Sequence, residues 1–343
     1  MAGHLARAAV AVALLAGAAA AQAGSPPSNT VLLAARAAGI QVPAGYRATV
    51  WATGLEHPTA MAFGPDGRLY VTEDVGKVVV APPGSRRPTP FRSGLRTPLG
   101  LVWKGRTLFV SEQGRLEAFG LRGGRRLVVG GLPFGRHQQD AVVVGRDSFL
   151  YFGSGSTCDA CREKDPRSAA ILAVRTDGKG FKIVAHGLRN PYGLAIDPRT
   201  GKLYASVNGQ DELGDEEPAE TVVAVRDGAD YGWPRCWASW SQRRLRGSCR
   251  GVTPPIAYLE PHSSADGMTY WNGSLYVAEW GEYLAHDHGR RVVRFALSKA
   301  GRAGRVTTFV TGLPHPLALT VAPDRSLLLA DWQQGTIYRI TRR

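Results

Sequence analysis

His137 and the neighbouring pair Arg189 and Asn190 are the side chains of this 343-residue chain best suited to chemistry on a small molecule. His137 lies just before the apolar segment Ala141–Val144, and an imidazole there can act as a general base near neutral pH. Arg189 and Asn190 precede a later apolar segment, and a guanidinium beside an amide can donate planar hydrogen bonds to an anionic or quinonoid oxygen. Two alternatives stay open, a histidine bonded within its own turn and an arginine paired with a neighbouring carboxylate.

An acidic loop lies further along the chain. Residues Asn208–Glu220 contain six carboxylates, and Gly209 leaves the backbone accessible. Oxygen-rich loops of this kind bind Ca²⁺ through backbone carbonyls as well as carboxylates. The loop lacks the ligand spacing of an EF-hand, so a solvated acidic loop without an ion is the equal alternative.

The N-terminal residues predict export. His4 and Arg7 precede an uncharged apolar stretch, and Ala21-Gln22-Ala23 places small residues where signal peptidase requires them. We predict a signal peptide over residues 1–23, a linker over residues 24–44 and a periplasmic or secreted mature protein. The apolar stretch is too short to span a bilayer, and no later segment is long enough.

Export gives the four cysteines a role, because an oxidising compartment favours their pairing. Cys158 and Cys161 form a C-x-x-C motif, while Cys236 and Cys249 lie 13 residues apart. The spacing predicts the local disulfides 158–161 and 236–249. Zinc binding would need a second C-x-x-C or a histidine pair at matching spacing, and the sequence has neither.

Six copies of one short sequence repeat form the strands that must position these residues. Each copy reads Gly-Leu or a variant, a Pro, a short apolar run, a turn and a second apolar run, with copies starting at Gly54, Gly94, Gly131, Gly187, Gly267 and Gly312. The 42 Gly and 22 Pro residues exclude a helical bundle. Short strands repeated six times without helical periodicity pack best radially around a channel. We predict an all-β, six-bladed β-propeller over residues 45–343, in which His137, Arg189 and Asn190 converge on the axis.

The segment from His137 to Pro234 resembles the soluble glucose and sorbosone dehydrogenases that depend on pyrroloquinoline quinone (PQQ), and is most similar to the sorbosone branch. The motifs that carry the resemblance are Arg-His137-Gln-Gln-Asp, Leu150-Tyr-Phe-Gly-Ser-Gly-Ser156, Asp165-Pro-Arg-Ser-Ala-Ala-Ile-Leu172, Gly-Leu-Arg189-Asn190-Pro-Tyr-Gly-Leu, Asp211-Glu-Leu-Gly-Asp215 and Asp230-Tyr-Gly-Trp-Pro234. The resemblance implies a propeller that oxidises an aldose or sorbosone-type sugar at C1 and passes the electrons to an external acceptor.

The resemblance also implies roles for single residues. His137 would take the proton from the C1 hydroxyl, while Arg189 and Asn190 would contact the quinone oxygens of PQQ, where Arg189 stabilises the developing charge. The Ca²⁺ that clamps the cofactor would be held by the Gly209, Gln210 and Asp211 segment. His315 in the sixth blade and Arg290 or Arg291 in the fifth would bind the carboxylates of the cofactor.

Departures from the family keep two other functions open. Arg136 stands where the family has an acidic residue, Arg96-Thr-Pro98 replaces a cofactor-binding Gln motif, and the sixth blade lacks the usual cationic residues. One alternative is a propeller that binds a partner or glycan without catalysis. The other is a Ca²⁺-dependent enzyme of the sugar-lactonase type, for which Glu73, Glu112 or Glu279 would supply an axial carboxylate.

The net charge of +14 suggests binding to nucleic acid, but the types and distribution of the basic residues argue against it. Only seven of the 42 basic residues are Lys, and the Arg residues are scattered over the whole chain, with one dense cluster at Ser241–Arg250. We therefore predict small-molecule partners, no nucleic acid and no integral membrane segment after cleavage.

Overall fold

The computed structural model describes residues 39–282 and 288–343, which form strands and turns without a helix. Within these ranges the strands make six sheets of at least four strands each and one separate two-stranded hairpin. The predicted all-β, six-bladed propeller is confirmed. The predicted signal peptide and residues 24–38 of the predicted linker lie outside the described residues. The described residues contain no helix that could cross a membrane.

The chain runs through the blades in order, after the strand β1 (Tyr46–Ala52) that belongs to the last of them. The first blade contains β2 (Pro58–Phe63), β3 (Leu69–Glu73), β4 (Lys77–Val80) and β5 (Thr89–Ser93). The second contains β6 (Gly100–Lys104), β7 (Thr107–Glu112), β8 (Arg115–Gly120) and β9 (Gly123–Gly130). The third contains β10 (Gln139–Val144), β11 (Phe149–Ser154), β12 (Ala170–Arg175) and β13 (Lys182–His186).

The fourth blade carries the longest insertions. It contains β14 (Leu194–Ile196), β15 (Leu203–Val207), β16 (Glu220–Ala224) and β20 (Ala257–Leu259). Between its last two strands the chain adds β17 (Ala229–Asp230), which pairs in parallel with β13, and the hairpin of β18 (Cys236–Ser239) and β19 (Arg244–Gly247).

The last two blades close the ring. The fifth contains β21 (Ala265–Trp271), β22 (Ser274–Glu279), β23 (Arg291–Ala296) and β24 (Thr307–Val310). The sixth contains β25 (Pro316–Val321), β26 (Leu327–Asp331) and β27 (Thr336–Arg342). Its fourth strand is β1, which pairs antiparallel with β27 so that Tyr46 lies opposite Arg342. The repeats predicted six blades but not this closure by the N-terminal strand.

The core consists of six apolar clusters, one between each pair of neighbouring blades. The strand β3 shows how the sequence specifies this arrangement, because it is buried on both faces. Its Leu69 and Val71 face the sixth blade, and its Tyr70 faces the second. Alternate side chains of a strand point to opposite faces, so an apolar run packs one blade against two neighbours.

Buried carboxylates at strand ends tie the loops to the blades. Glu73 accepts a hydrogen bond from the backbone N–H of Glu56 at 2.8 Å, and Glu112 accepts one from the N–H of Arg96. In the fifth blade, Glu279 accepts a bond from Arg291 Nε at 2.6 Å. All three carboxylates of the predicted lactonase alternative are therefore bonded to their own blades.

The innermost strands β2, β6, β10, β14, β21 and β25 form a closed ring around the axis. In the fourth and fifth blades they approach the next blade so closely that Gly193 and Gly267 have no space for a side chain. A Cβ added to Gly193 would lie 2.1 Å from the carbonyl oxygen of Asp266, and one added to Gly267 would lie 1.9 Å from that of Leu317. Both separations are far below van der Waals contact.

Replacing Gly267 by Ala should therefore lower the free energy of unfolding by about 1–3 kcal/mol, the usual cost of overpacking. The matched control is Gly304→Ala, because a Cβ at Gly304 would meet its nearest atom at 3.5 Å. Urea denaturation of both variants measures the difference. Equal midpoints for the two variants would contradict the close packing of the ring.

Candidate active site

A cavity of about 620 Å³ lies where loops of the third, fourth and fifth blades meet. His137, Arg189 and Asp211 line it together with Arg136, Trp280 and His288. A volume of this size suits a small organic ligand. The structure thus brings His137 and Arg189 to one space, although they are 52 residues apart in the chain.

The ring of His137 is held by a short chain of hydrogen bonds. Its Nδ1 lies 3.0 Å from Ser156 Oγ, and Ser156 Oγ donates to the carbonyl oxygen of Cys158 at 2.7 Å. Because a hydroxyl has one proton to donate, Ser156 must accept from Nδ1–H. The neutral imidazole is therefore protonated at Nδ1, and Nε2 is the ring nitrogen with a free lone pair.

The surroundings keep this imidazole neutral. Burial lowers the pKa of His137 to about 3, and the nearby positive charges of Arg189 and Arg136 contribute to the shift. A histidine in this position is unprotonated at neutral pH and can accept a proton.

Arg189 lies in an ion-pair network at the cavity wall. Its guanidinium is 4% exposed and donates to Asp159 Oδ1 at 2.5 Å, to the Asp159 carbonyl at 3.1 Å and to Asp211 Oδ2 at 3.2 Å. Arg136 also binds Asp211, and its Nε lies 3.7 Å from Asp159. Burial raises the pKa of Asp159, but its bonds with Arg189 and the Asp211 N–H outweigh burial and leave that pKa below its usual value.

Asp159 is the site residue that sequence reasoning missed. It lies inside the predicted disulfide loop, and both predicted disulfides, Cys158–Cys161 and Cys236–Cys249, are confirmed. The carbonyl of Asp159 also accepts a bond from Trp233 Nε1 at 3.2 Å. An acidic residue inside a two-residue disulfide loop, three positions after the Gly-Ser-Gly-Ser motif, was the available signal.

Three other predicted site residues lie beside the cavity rather than on its lining. Asn190 is buried against His137, since a Cβ added to Gly155 would be 2.6 Å from Asn190 Oδ1 and 2.3 Å from His137 Cβ. His315 is buried, its ring stacked 3.9 Å from that of Trp280. Arg290 donates to the carbonyl of Glu282, with 3.5 Å between Nη2 and the oxygen. Trp280, Gly281, Glu282 and His288 line the cavity in that region.

The Gly209, Gln210 and Asp211 segment has the donors that a hard cation needs. Among the described residues, no hydrogen bond reaches the carbonyl oxygens of Gly209 or Gln210, and buried Gln210 Oε1 has no hydrogen-bond partner. Gly209 N–H donates to Glu220 at 2.5 Å, and burial raises the pKa of Glu220 to about 8. Carbonyl and carboxylate oxygens suit Ca²⁺, so these residues fit the predicted ion.

Comparison with known proteins identifies the family. The sequence profile of the Glucose / Sorbosone dehydrogenase family matches residues 131–339. The chain belongs to this family. The match covers the third to sixth blades and so includes every residue of the network around His137 and Arg189.

One curated relative and two solved structures show what else the chain is similar to. The aldose sugar dehydrogenase YliI of Escherichia coli is 24% identical over 117 residues, which cover 32% of this chain and 30% of that protein. Two solved structures share the fold. The PQQ-bound aldose sugar dehydrogenase of Streptomyces coelicolor has a TM-score of 0.71 at 22% identity, over 88% of this chain and 100% of the other. The PQQ domain of a Coprinopsis cinerea pyranose dehydrogenase has a TM-score of 0.78 at 18% identity, over 88% and 97%. The chain spans between about a third and half of the length of the first curated relatives it matches.

The hydrogen-bond chain at His137 predicts a single tautomer. In ¹⁵N-histidine-labelled protein, long-range ¹H–¹⁵N correlation spectra should show His137 protonated at Nδ1 and neutral from pH 7 down to about pH 4, given its low pKa. Ser156→Ala should produce a mixture of tautomers. Ser154→Ala is the control, because Ser154 bonds Gln139 instead. A proton on Nε2 in the parent protein would contradict the geometry.

Proposed function

We propose that this protein is an exported PQQ-dependent dehydrogenase that oxidises an aldose or a sorbosone-type sugar at C1, with His137 as the general base. Family membership supports the reaction class. The observation that carries the proposal is the neutral His137 with a free Nε2 lone pair on the wall of a cavity shared with Arg189. Sugar oxidation needs a base for the hydroxyl proton at the same place as a hydride acceptor.

The residues around the cavity fit the cofactor and its ion. Arg136 and Arg189 supply positive charge for an anionic quinone, and Gly209, Gln210 and Asp211 supply oxygen ligands for Ca²⁺. His315 stacks on Trp280 and Arg290 donates to the Glu282 carbonyl, and both of these neighbours line the cavity, so we assign His315 and Arg290 a supporting role. Bound PQQ would supply the ortho-quinone that accepts the hydride.

The chain's own residues hold the sugar's reacting atoms and move the proton. His137 Nε2 accepts the proton of the C1 hydroxyl, while Ser156 and the Cys158 carbonyl keep the ring from rotating. Arg189 is fixed by Asp159 and Asp211, so its guanidinium needs no reorganisation when negative charge develops nearby. The external electron acceptor is a separate partner that approaches from solvent.

Export is part of the proposal. Two disulfides and no unpaired cysteine are what an oxidising compartment would produce. The predicted signal peptide would deliver the chain to the periplasm or the medium.

The test is dye reduction by purified protein supplied with PQQ, Ca²⁺ and a panel of aldoses and sorbosone. Parent protein should reduce the dye only with sugar and PQQ together. His137→Asn should lower kcat by at least about two orders of magnitude, because a general base contributes that much. His57→Asn, on the first blade, is the control and should keep the parental rate. Equal rates for parent protein and His137→Asn, or no sugar-dependent reduction at all, would leave a non-catalytic ligand-binding propeller as the better assignment.

Arg136 should set the basicity of His137. Its charge lowers the pKa of the imidazole, so Arg136→Gln should raise that pKa and move the acidic limb of the kcat/KM profile to higher pH. The histidine signals in a pH titration report the same shift without cofactor. Arg122→Gln, an exposed change on the second blade, should leave both curves in place. A limb that does not move, or moves to lower pH, would contradict the electrostatic role.

A further inference from the structure

Three polar side chains occupy equivalent positions on neighbouring inner strands, below the cavity. In the third to sixth blades, the carbonyl at this position packs against an inner strand of the preceding blade; the four residues are Asp140, Tyr192, Asp266 and Leu317. The contacts establish the equivalence. Ser111 Oγ donates to the Asp140 carbonyl, Ser206 Oγ donates to the Asp266 carbonyl at 2.6 Å, and the N–H of Ala141 donates to the Tyr192 carbonyl at 3.1 Å.

This ring places two carboxylates deep in the propeller without a counter-charge. Asp140 is 1% exposed and Asp266 is 5% exposed. Across residues 39–282 and 288–343, no Lys, Arg or His forms an ion pair with either of them. Burial raises the pKa of both, and for Asp140 the charge of Asp266 adds to the rise.

Buried oxygens of the same cluster lack partners. Asp140 Oδ2 accepts no hydrogen bond, and neither does Oδ1 of Asn208, which is 8% exposed. The amide of Asn208 belongs to the cluster because its Nδ2 donates to Asp266 Oδ1 at 2.9 Å. Burial raises the pKa of the Tyr192 hydroxyl, and the charges of Asp266, Asp140 and Asp74 add to the rise. A native fold rarely leaves several buried acceptors unpaired unless something else satisfies them.

We propose that Asp140, Asp266 and Asn208 form a second Ca²⁺ site on the propeller axis, separate from the one at Gly209, Gln210 and Asp211. Two carboxylates neutralise a divalent cation, and the unpartnered oxygens of Asp140 and Asn208 become its ligands. All available donors are oxygens, which favours a hard cation. Ca²⁺ fits better than Mg²⁺, because ligands from three different blades and a few waters make an irregular shell that Ca²⁺ tolerates.

The axial ion would also fix the positions of two residues that line the cavity. Asn208 and Ser264 both line the cavity, and both bond Asp266, with Ser264 Oγ at 3.0 Å from Oδ2. Asn208 directly precedes Gly209, so an ion held by Asn208 fixes the start of the acidic loop. Neither the identity of the sugar nor binding of PQQ enters this argument.

Calcium titration of chelator-treated, full-length protein tests the proposal by calorimetry and by thermal unfolding, without PQQ or sugar. Parent protein should bind an axial Ca²⁺ and unfold at a higher temperature when it is present. Asp140→Asn and Asp266→Asn keep the side-chain shape but remove one charge, and each should weaken that one ion at least about tenfold. In chelator both variants should unfold at the parental temperature or above it, because the repulsion is gone.

Asp211→Asn is the matched control, since it changes the other predicted site and should leave the axial ion bound. The proposal is overturned if Asp140→Asn and Asp266→Asn bind as much Ca²⁺ as the parent, or if the parent binds none that they lose. In that case a shared proton neutralises the pair. Should one variant fail to fold, the other, together with Asn208→Ala, decides the question. Because no step needs turnover, failure here leaves the dye assay with His137→Asn unaffected, and failure of that assay leaves this result standing.

Discussion

Close approach of the six inner strands is the constraint on which the rest of this structure depends. Backbone meets backbone between neighbouring blades at Gly193 and Gly267, where a methyl group would overlap a carbonyl oxygen. This contact holds the inner strands in a closed ring. Residues far apart in sequence, such as His137 and Arg189, then line one cavity because each follows the geometry of its own blade.

The same constraint explains why polar groups inside the ring are costly and few. A carboxylate there is removed from water, and it must find a hydrogen-bond donor or a counter-charge. Glu73, Glu112 and Glu279 find donors within their own blades. Asp266 accepts bonds from the uncharged side chains of Asn208 and Ser264, whereas Oδ2 of Asp140 accepts no hydrogen bond within the described part of the chain.

The cavity wall combines a rigid cation with a neutral base. Arg189 is bound by two carboxylates, one of which a disulfide loop carries. The loop also supplies the Cys158 carbonyl that orients Ser156 and, through it, His137. A single short insertion therefore positions both groups of the proposed reaction, and its two cysteines are part of the site as well as of the stability of the loop.

The sequence repeat determined the all-β class and the six blades, because each copy has the alternating apolar residues and the turn residues that a blade needs. Cysteine spacing determined both disulfides, and the motif around His137 indicated the family. Tertiary structure alone decided that Asp159 binds Arg189 across 30 residues, that β1 completes the sixth blade, and that Asn190 lies beneath His137 rather than on the cavity wall. These features depend on contacts between distant segments, and local periodicity carries no information about which loops meet once the ring has closed.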